Sequence, residues 1–166
     1  HLGEQGGRAN ARSMIFGNGR QLTDLAVRMI HVGRDTESDM LVRAALADTS
    51  RAVYRGYVDI KRGAKGTNSQ QKEAVLLMST EARSDAIPSL YIDENDVKAG
   101  HGATAGRVDE KMVFYLMSRG LSRKAAEKLV VEGFFTPLLE RITIEKLREE
   151  LLERIDRKID LGAGAR

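Results

Sequence analysis

Up to about Val108, apolar residues recur at every second position in short runs broken by polar or glycine turns. Val27, Met29 and His31 alternate, as do Met40, Val42, Ala44 and Leu46, and then Tyr54, Gly56, Val58 and Ile60. Successive side chains of a strand leave opposite faces, so this period of two predicts strands with one face buried. Gly17-Asn18-Gly19, Asp48-Thr49-Ser50, Gly63-Ala64-Lys65-Gly66 and Asp93-Glu94-Asn95-Asp96 supply the turns. No helix-length segment lies between the runs. Such a chain must pair its strands as a sandwich, a barrel or a β-solenoid, and the pattern alone does not choose among them. No strict sequence repeat and no low-complexity tract is visible.

After Val108 the period becomes helical. Asp109 is placed to cap a first helix, with Met112, Val113 and Leu116 as its buried stripe and Gly120 as its stop. Ser122 caps a second, with Ala125, Ala126, Leu129 and Val130 on one face, closed by Gly133 and two phenylalanines. Thr143 caps a third, whose apolar stripe is Ile144, Leu147, Leu151, Leu152, Ile155 and Ile159. The tail from Leu161 to Arg166 is expected to fray. The division predicted is residues 1–108 for the β part and 109–166 for a small helical domain.

Composition narrows the chemistry. At 42% hydrophobic and 31% charged residues, the chain is an ordinary globular sequence. No apolar run approaches the roughly 20 residues of a membrane span, so the expected compartment is the cytoplasm. Zero cysteines exclude disulfides, zinc–thiolate sites, cysteine nucleophiles and all-thiolate ligation of an iron–sulfur cluster by this chain alone. Arg51, Arg55, Lys61, Arg62 and Lys65 could form a phosphate-binding stripe. With four Tyr, four Phe and no Trp there is little surface for base stacking, and a solvated strand face is expected instead. His31 with Asp24 and Asp35 offers metal-ligand residue types without a metal-ligand spacing. Asp93, Glu94 and Asp96 are read as turn formers rather than as an acid pair. The Gly100–Gly106 segment lacks the Lys-Ser/Thr of a phosphate loop. No catalytic constellation is present, and the chain is expected not to be an enzyme.

The most informative stretch is His101-Gly-Ala-Thr-Ala-Gly-Arg-Val-Asp-Glu110, then Phe114-Tyr-Leu-Met-Ser-Arg-Gly-Leu121, then Gly133-Phe134-Phe135. Upstream stand Tyr54-Arg-Gly-Tyr-Val-Asp-Ile-Lys-Arg-Gly-Ala64, Gly66-Thr-Asn-Ser-Gln70, Leu76-Leu-Met-Ser79 and Ile87-Pro88. In this order the blocks, from about Gly3 to Ile142, resemble the C-terminal region of the SufB/SufD family of iron–sulfur cluster assembly scaffolds. The resemblance implies a right-handed parallel β-helix followed by a small helical domain. Small residues such as Ala44, Ala47, Ala52, Gly56, Ala74, Ala99 and Ala103 suit the thin core of such a helix. Family members carry further regions ahead of the matched part, so the chain is expected to be part of a longer protein.

The same resemblance implies a non-catalytic, SufD-like accessory subunit that holds a SufC-type ABC ATPase and a SufB-type partner. It places His101 at the subunit interface, as an iron or cluster ligand shared with cysteine and acidic ligands of the partner. An imidazole flanked by Gly100 and Gly102 suits that role, and equally suits a simple hydrogen bond at a dimer interface. Ala99 stands where many SufD-like sequences have cysteine, and Gly102 where SufB-like sequences have glutamate. Gly102 and the absent thiolates favour the SufD-like branch, while Ala99 departs from it and leaves open whether the histidine is still used as a ligand. A cluster would be transient and shared with the partner. The helical half is expected to dock the ATPase through Arg119, Gly120 and Phe135, and the end of the β-helix, Leu90 to Ala105, to pair with a SufB-like subunit or a second copy. The rival readings are a homodimeric SufB-like scaffold and a β-solenoid enzyme acting on carbohydrate.

Overall fold

The computed structural model describes residues 1–162. Seven ten-residue strands come first: β1 (Arg8–Gly17), β2 (Leu22–His31), β3 (Glu37–Leu46), β4 (Arg51–Ile60), β5 (Asn68–Leu77), β6 (Arg83–Ile92) and β7 (Lys98–Arg107). Three helices follow: α1 (Glu110–Ser118), α2 (Arg123–Leu139) and α3 (Glu145–Gly162). Odd strands form one sheet in the order β1-β3-β5-β7 and even strands another, β2-β4-β6. Every pairing is parallel and unslipped. Arg8 lies opposite Glu37, Glu37 opposite Asn68 and Asn68 opposite Lys98, steps of 29, 31 and 30 residues. The chain is a flattened β-solenoid of three full turns plus one strand, followed by three helices, as the resemblance implied.

Unslipped stacking turns each interior position into a column of side chains, and the columns sort by polarity. Near one corner Ile15, Val42, Ala44, Leu46, Ala52, Tyr54 and Val75 form an apolar column set. Met40, Val58, Ile60 and Ala64 form another. Between the second and third turns runs a buried hydroxyl ladder. Thr36 Oγ1 lies 2.9 Å from Thr67 Oγ1, and Ser38 Oγ lies 2.8 Å from Ser69 Oγ. The fully buried His31 bridges the two rungs, with Nδ1 2.8 Å from Thr36 and Nε2 2.9 Å from Ser38. His31 thereby has both ring nitrogens satisfied by protein.

The corners stack as well. Asp48 and Asp35 adopt positive φ of 54° and 56°, an excursion that short polar side chains tolerate. Asp48 accepts a hydrogen bond from the Gly19 amide of the turn below at 2.7 Å. Gly66, at φ 76°, is required twice over, since a Cβ there would lie 2.2 Å from the Asp35 carboxylate.

The helices cover the outer face of the β1-β3-β5-β7 sheet. Ala45 and Leu76 of the sheet pack against Val131, Phe135, Leu139, Ile155 and Ile159. Arg43 lies over the Phe134 ring, 5.0 Å from its centre, and donates to the Phe134 carbonyl. Lys158 of α3 donates to Asn18 and Gln21 at the β1–β2 corner, both at 3.0 Å.

The first two helix starts follow the sequence, with Asp109 accepting from Lys111 N and Ser122 from Ala125 N, while α3 begins at Glu145. Several helical details differ. Gly133 does not close α2, which continues through Pro137 to Leu139, because Phe135, Leu138 and Leu139 bury themselves against the sheet and outweigh local propensity. The buried face of α2 is Ala126, Val131, Phe135 and Leu138, not Leu129. Met112 is 49% exposed, and on α1 only Val113 is fully buried. Ile144 and Leu147 are exposed, so the α3 stripe is buried only towards Ile155 and Ile159. α3 extends through Gly162, into the segment expected to fray; residues 163–166 lie outside those described.

Burial holds the pKa of His31 below its usual value. A depressed histidine pKa favours the neutral ring in the folded state, so its contribution is complete above the unfolded value near 6.5. It is lost as pH falls from there towards the folded value, because the unfolded chain takes up the proton first. The stability difference between wild type and His31→Gln, from denaturant midpoints, is therefore expected to be constant above pH 7. Below about pH 6.5 it shrinks, by at most about 1.4 kcal/mol per pH unit.

Candidate functional site

The solenoid stops at β7 without a cap on its stacking direction. Among the described residues β7 pairs only with β5 and β6 only with β4, so one edge of each is free. Paired residues of in-register parallel strands point the same way. His101 therefore belongs to the interior column of Met40 and Gln71, and Ala103 to that of Val42 and Glu73. No further turn lies over them, and His101, Ala103, Ala105 and Ala86 are exposed although they occupy interior positions. The result is an open groove lined by small side chains, with one imidazole on its rim. Among the described residues the His101 ring has no hydrogen-bond partner, and Gly102 adds nothing beside it that would restrict approach.

Beneath the groove the solenoid interior is polar. Gln71 is 2% exposed and Glu73 6%. Gln71 Oε1, Glu73 Oε2 and Ser84 Oγ are buried without a hydrogen-bond partner among the described residues. An unmet buried polar atom costs about 1–3 kcal/mol, so three together mark the floor as unusual. Burial pushes the Glu73 carboxyl above its ordinary pKa, and the Ser84 hydroxyl nearby, though not in hydrogen-bonding geometry, offsets part of this. Tyr54 is pushed up to about 12, by burial first and then by the Glu73 charge. The Gln71 amide lies across Gly56, where a Cβ would stand 2.3 Å from Nε2. Sequence reading passed over this floor, because polar residues on an alternating strand read as the solvated face.

A second exposed feature is helical. α1 is apolar on nearly all sides but has one helical neighbour, so Phe114 is 73% exposed and Tyr115 53%, with Met112, Met117 and Leu121 also exposed. The Arg119 guanidinium lies 5.3 Å from the centre of the Tyr115 ring. Gly120 closes the helix at φ 96°. Arg119 and Gly120 thus border this apolar surface. Phe135 does not: it is fully buried against the solenoid, because α2 runs on past Gly133 and carries it onto the sheet. Phe114 and Tyr115 occupy the outer position expected of it; the signal was a helix apolar all round beside a single partner.

The remaining sequence features resolve into structure. Asp24 pairs with Arg55, Arg51 with Asp85 and Lys61 with Asp59, so much of the basic stripe is neutralised strand by strand. His31, Asp24 and Asp35 do not converge, and no group of three His, Asp or Glu among the described residues is arranged around a metal position. Glu94 accepts from the Gly63 and Asn95 amides, which holds its pKa low and ties it into a turn. Among the described residues no helix is long and apolar enough to cross a membrane.

Residues 1–134 match the family described as the SUF system FeS cluster assembly, SufBD core domain. The chain belongs to the SufBD family. The iron–sulfur cluster assembly protein SufD of Bacillus subtilis is 37% identical over 90% of the chain and 34% of its own length. The protein of the same name in Escherichia coli is 33% identical over 94% of the chain and 36% of its own. A SufBD family protein of Mycobacterium tuberculosis is 38% identical over 80% of the chain and 16% of its own. The chain thus spans about a third of the length of its SufD relatives. In this SufD-like chain the family core and the open solenoid end coincide, since the match runs through β7, α1 and most of α2.

The floor can be probed directly. Gly56→Ala is expected to destabilise the chain by about 1–3 kcal/mol, the range for overpacking a filled interior. Adding Gln71→Ala should recover part of that loss in a double-mutant cycle of denaturation midpoints, since the clash is with the Gln71 amide.

Proposed function

We propose that this chain is a non-catalytic, SufD-like scaffold subunit of a SUF assembly complex, working in the cytoplasm. It would present the open end of its solenoid to a SufB-type partner, or to a second copy, and the exposed face of α1 to a SufC-type ABC ATPase. The single observation that supports this most is the unfinished solenoid end: two free strand edges and interior side chains left in solvent around an unengaged imidazole. Exposed edges are ordinarily paired or covered, and here the segment from Leu90 to Ala105 offers the pairing surface. A chain without cysteine supplies no thiolate, so a cluster built at that surface is cargo held mainly by the partner, with His101 as this chain's ligand.

The ATPase surface rests on α1. An exposed Phe-Tyr pair with Met112, Met117 and Leu121, bordered by Arg119 and Gly120, has the aromatic, methionine and arginine character of interface centres.

Two substitutions in the full chain, co-expressed with its neighbouring subunits, separate these roles. His101→Ala is expected to abolish cluster assembly while subunit association stays nearly intact. If the ring only makes an interface hydrogen bond, association instead weakens by roughly 1 kcal/mol and cluster yield per complex is normal. Phe114→Asp is expected to release the ATPase on co-purification while the solenoid partner stays bound; retention of the ATPase would remove α1 from the interface.

A further inference from the structure

The buried floor of the groove has a chemistry of its own. Gln71 Oε1 and Glu73 Oε2 stand on neighbouring interior columns of β5, and both are more than nine-tenths buried and unpartnered. Ser84 Oγ, at the start of β6, is buried and unpartnered too. Directly above in register lie His101, opposite Gln71, and Ala103, opposite Glu73. Residues directly opposite on adjacent strands are neighbours, and diagonal positions such as Glu73 and His101 lie within reach of long side chains. Alanine at 103 and 86 leaves the space above Glu73 open to the groove. The buried hydroxyls and His31 elsewhere in the solenoid interior partner one another, whereas these oxygens do not.

We propose that Glu73, Gln71 and His101 form a binding site for one divalent first-row metal ion on the inner face of the last solenoid turn. The carboxylate, the amide oxygen and the imidazole are each suited to Fe2+ or Mn2+, with Ser84 at hand for a ligand or a bound water. The ion gives the floor oxygens the partner they lack. Gly56 serves the site by leaving room for the Gln71 amide. The inference deepens the assembly reading by sharing His101 with it, yet the donors come from this chain alone. Iron could then be held at the groove before any partner thiolate engages it.

Mn2+ is a workable probe, titrated into the purified full chain without partner subunits, sulfide or cluster. Free Mn2+ is read by its paramagnetic resonance signal and stabilisation by the shift in melting temperature. The expected result is saturable binding of one ion per chain. Glu73→Gln should weaken it at least roughly tenfold, with a smaller loss for Gln71→Ala and a loss for His101→Ala, on the scale seen for altered metal shells. Glutamine matches glutamate in size and shape, and the melting temperature without metal checks that Glu73→Gln folds; if it does not, Gln71→Ala carries the comparison. No saturable binding, as expected if the oxygens hold only ordered water, would overturn the proposal. So would unchanged affinity in Glu73→Gln, or sensitivity to His101→Ala alone. Normal cluster assembly by a chain that does not bind Mn2+ would remove this inference only, whereas Mn2+ binding by a chain that supports no assembly would remove the assembly reading only.

Discussion

Parallel, in-register stacking of ten-residue strands is the constraint from which the rest follows. Each interior residue must fit the residue one turn above and below it, about 4.8 Å away. Aliphatic columns satisfy this by packing, and hydroxyl columns by donating to one another, as Thr36 with Thr67 and Ser38 with Ser69 show. The same rule governs the corners, where Asp48 bonds the Gly19 amide one turn below. A stack built this way is complete only where it has a neighbour on each side. At β7 it does not, and interior positions become a groove.

That end is where the structural and functional arguments meet. His101 is exposed because the stack stops at it: had another turn followed, the ring would occupy the interior, as His31 does between hydroxyls on both nitrogens. The two histidines differ in environment rather than in kind. One is satisfied by its own chain, and the other is exposed with no hydrogen-bond partner among the described residues. The helical half contributes differently, anchoring α2 and α3 on the outer sheet through Phe135, Ile155 and Ile159 while α1 keeps an apolar face outside. The chain belongs to the SufBD family although it contains no cysteine.

The strands with one apolar face were legible from alternation, as β2, β3 and β4 show, and so were the turns rich in Gly, Asn and Asp. β7, with the sequence Lys98-Ala-Gly-His-Gly-Ala-Thr-Ala-Gly-Arg107, carries little strand propensity of its own; pairing with β5 imposes the conformation, and only the family resemblance pointed there. The near-30-residue repeat escaped notice because columns conserve size and polarity rather than identity, and the steps vary from 29 to 32 residues. Helix ends marked by Asp109, Gly120 and Ser122 were readable, whereas the path of α2 beyond Gly133 was not, since tertiary burial of Phe135 and Leu139 decides it. Gln71 and Glu73 were hidden for the opposite reason: they are polar residues on the buried face.

Hydrogen exchange at the amides of β7, compared between the isolated chain and the assembled complex, tests the central claim most directly. In a parallel strand alternate amides point to either side, so about half of those in residues 98–107 lack a partner in the isolated chain. The account predicts that these slow markedly on assembly, while the amides already bonded to β5 change little. Unchanged exchange across β7, with protection appearing only over α3, would contradict it.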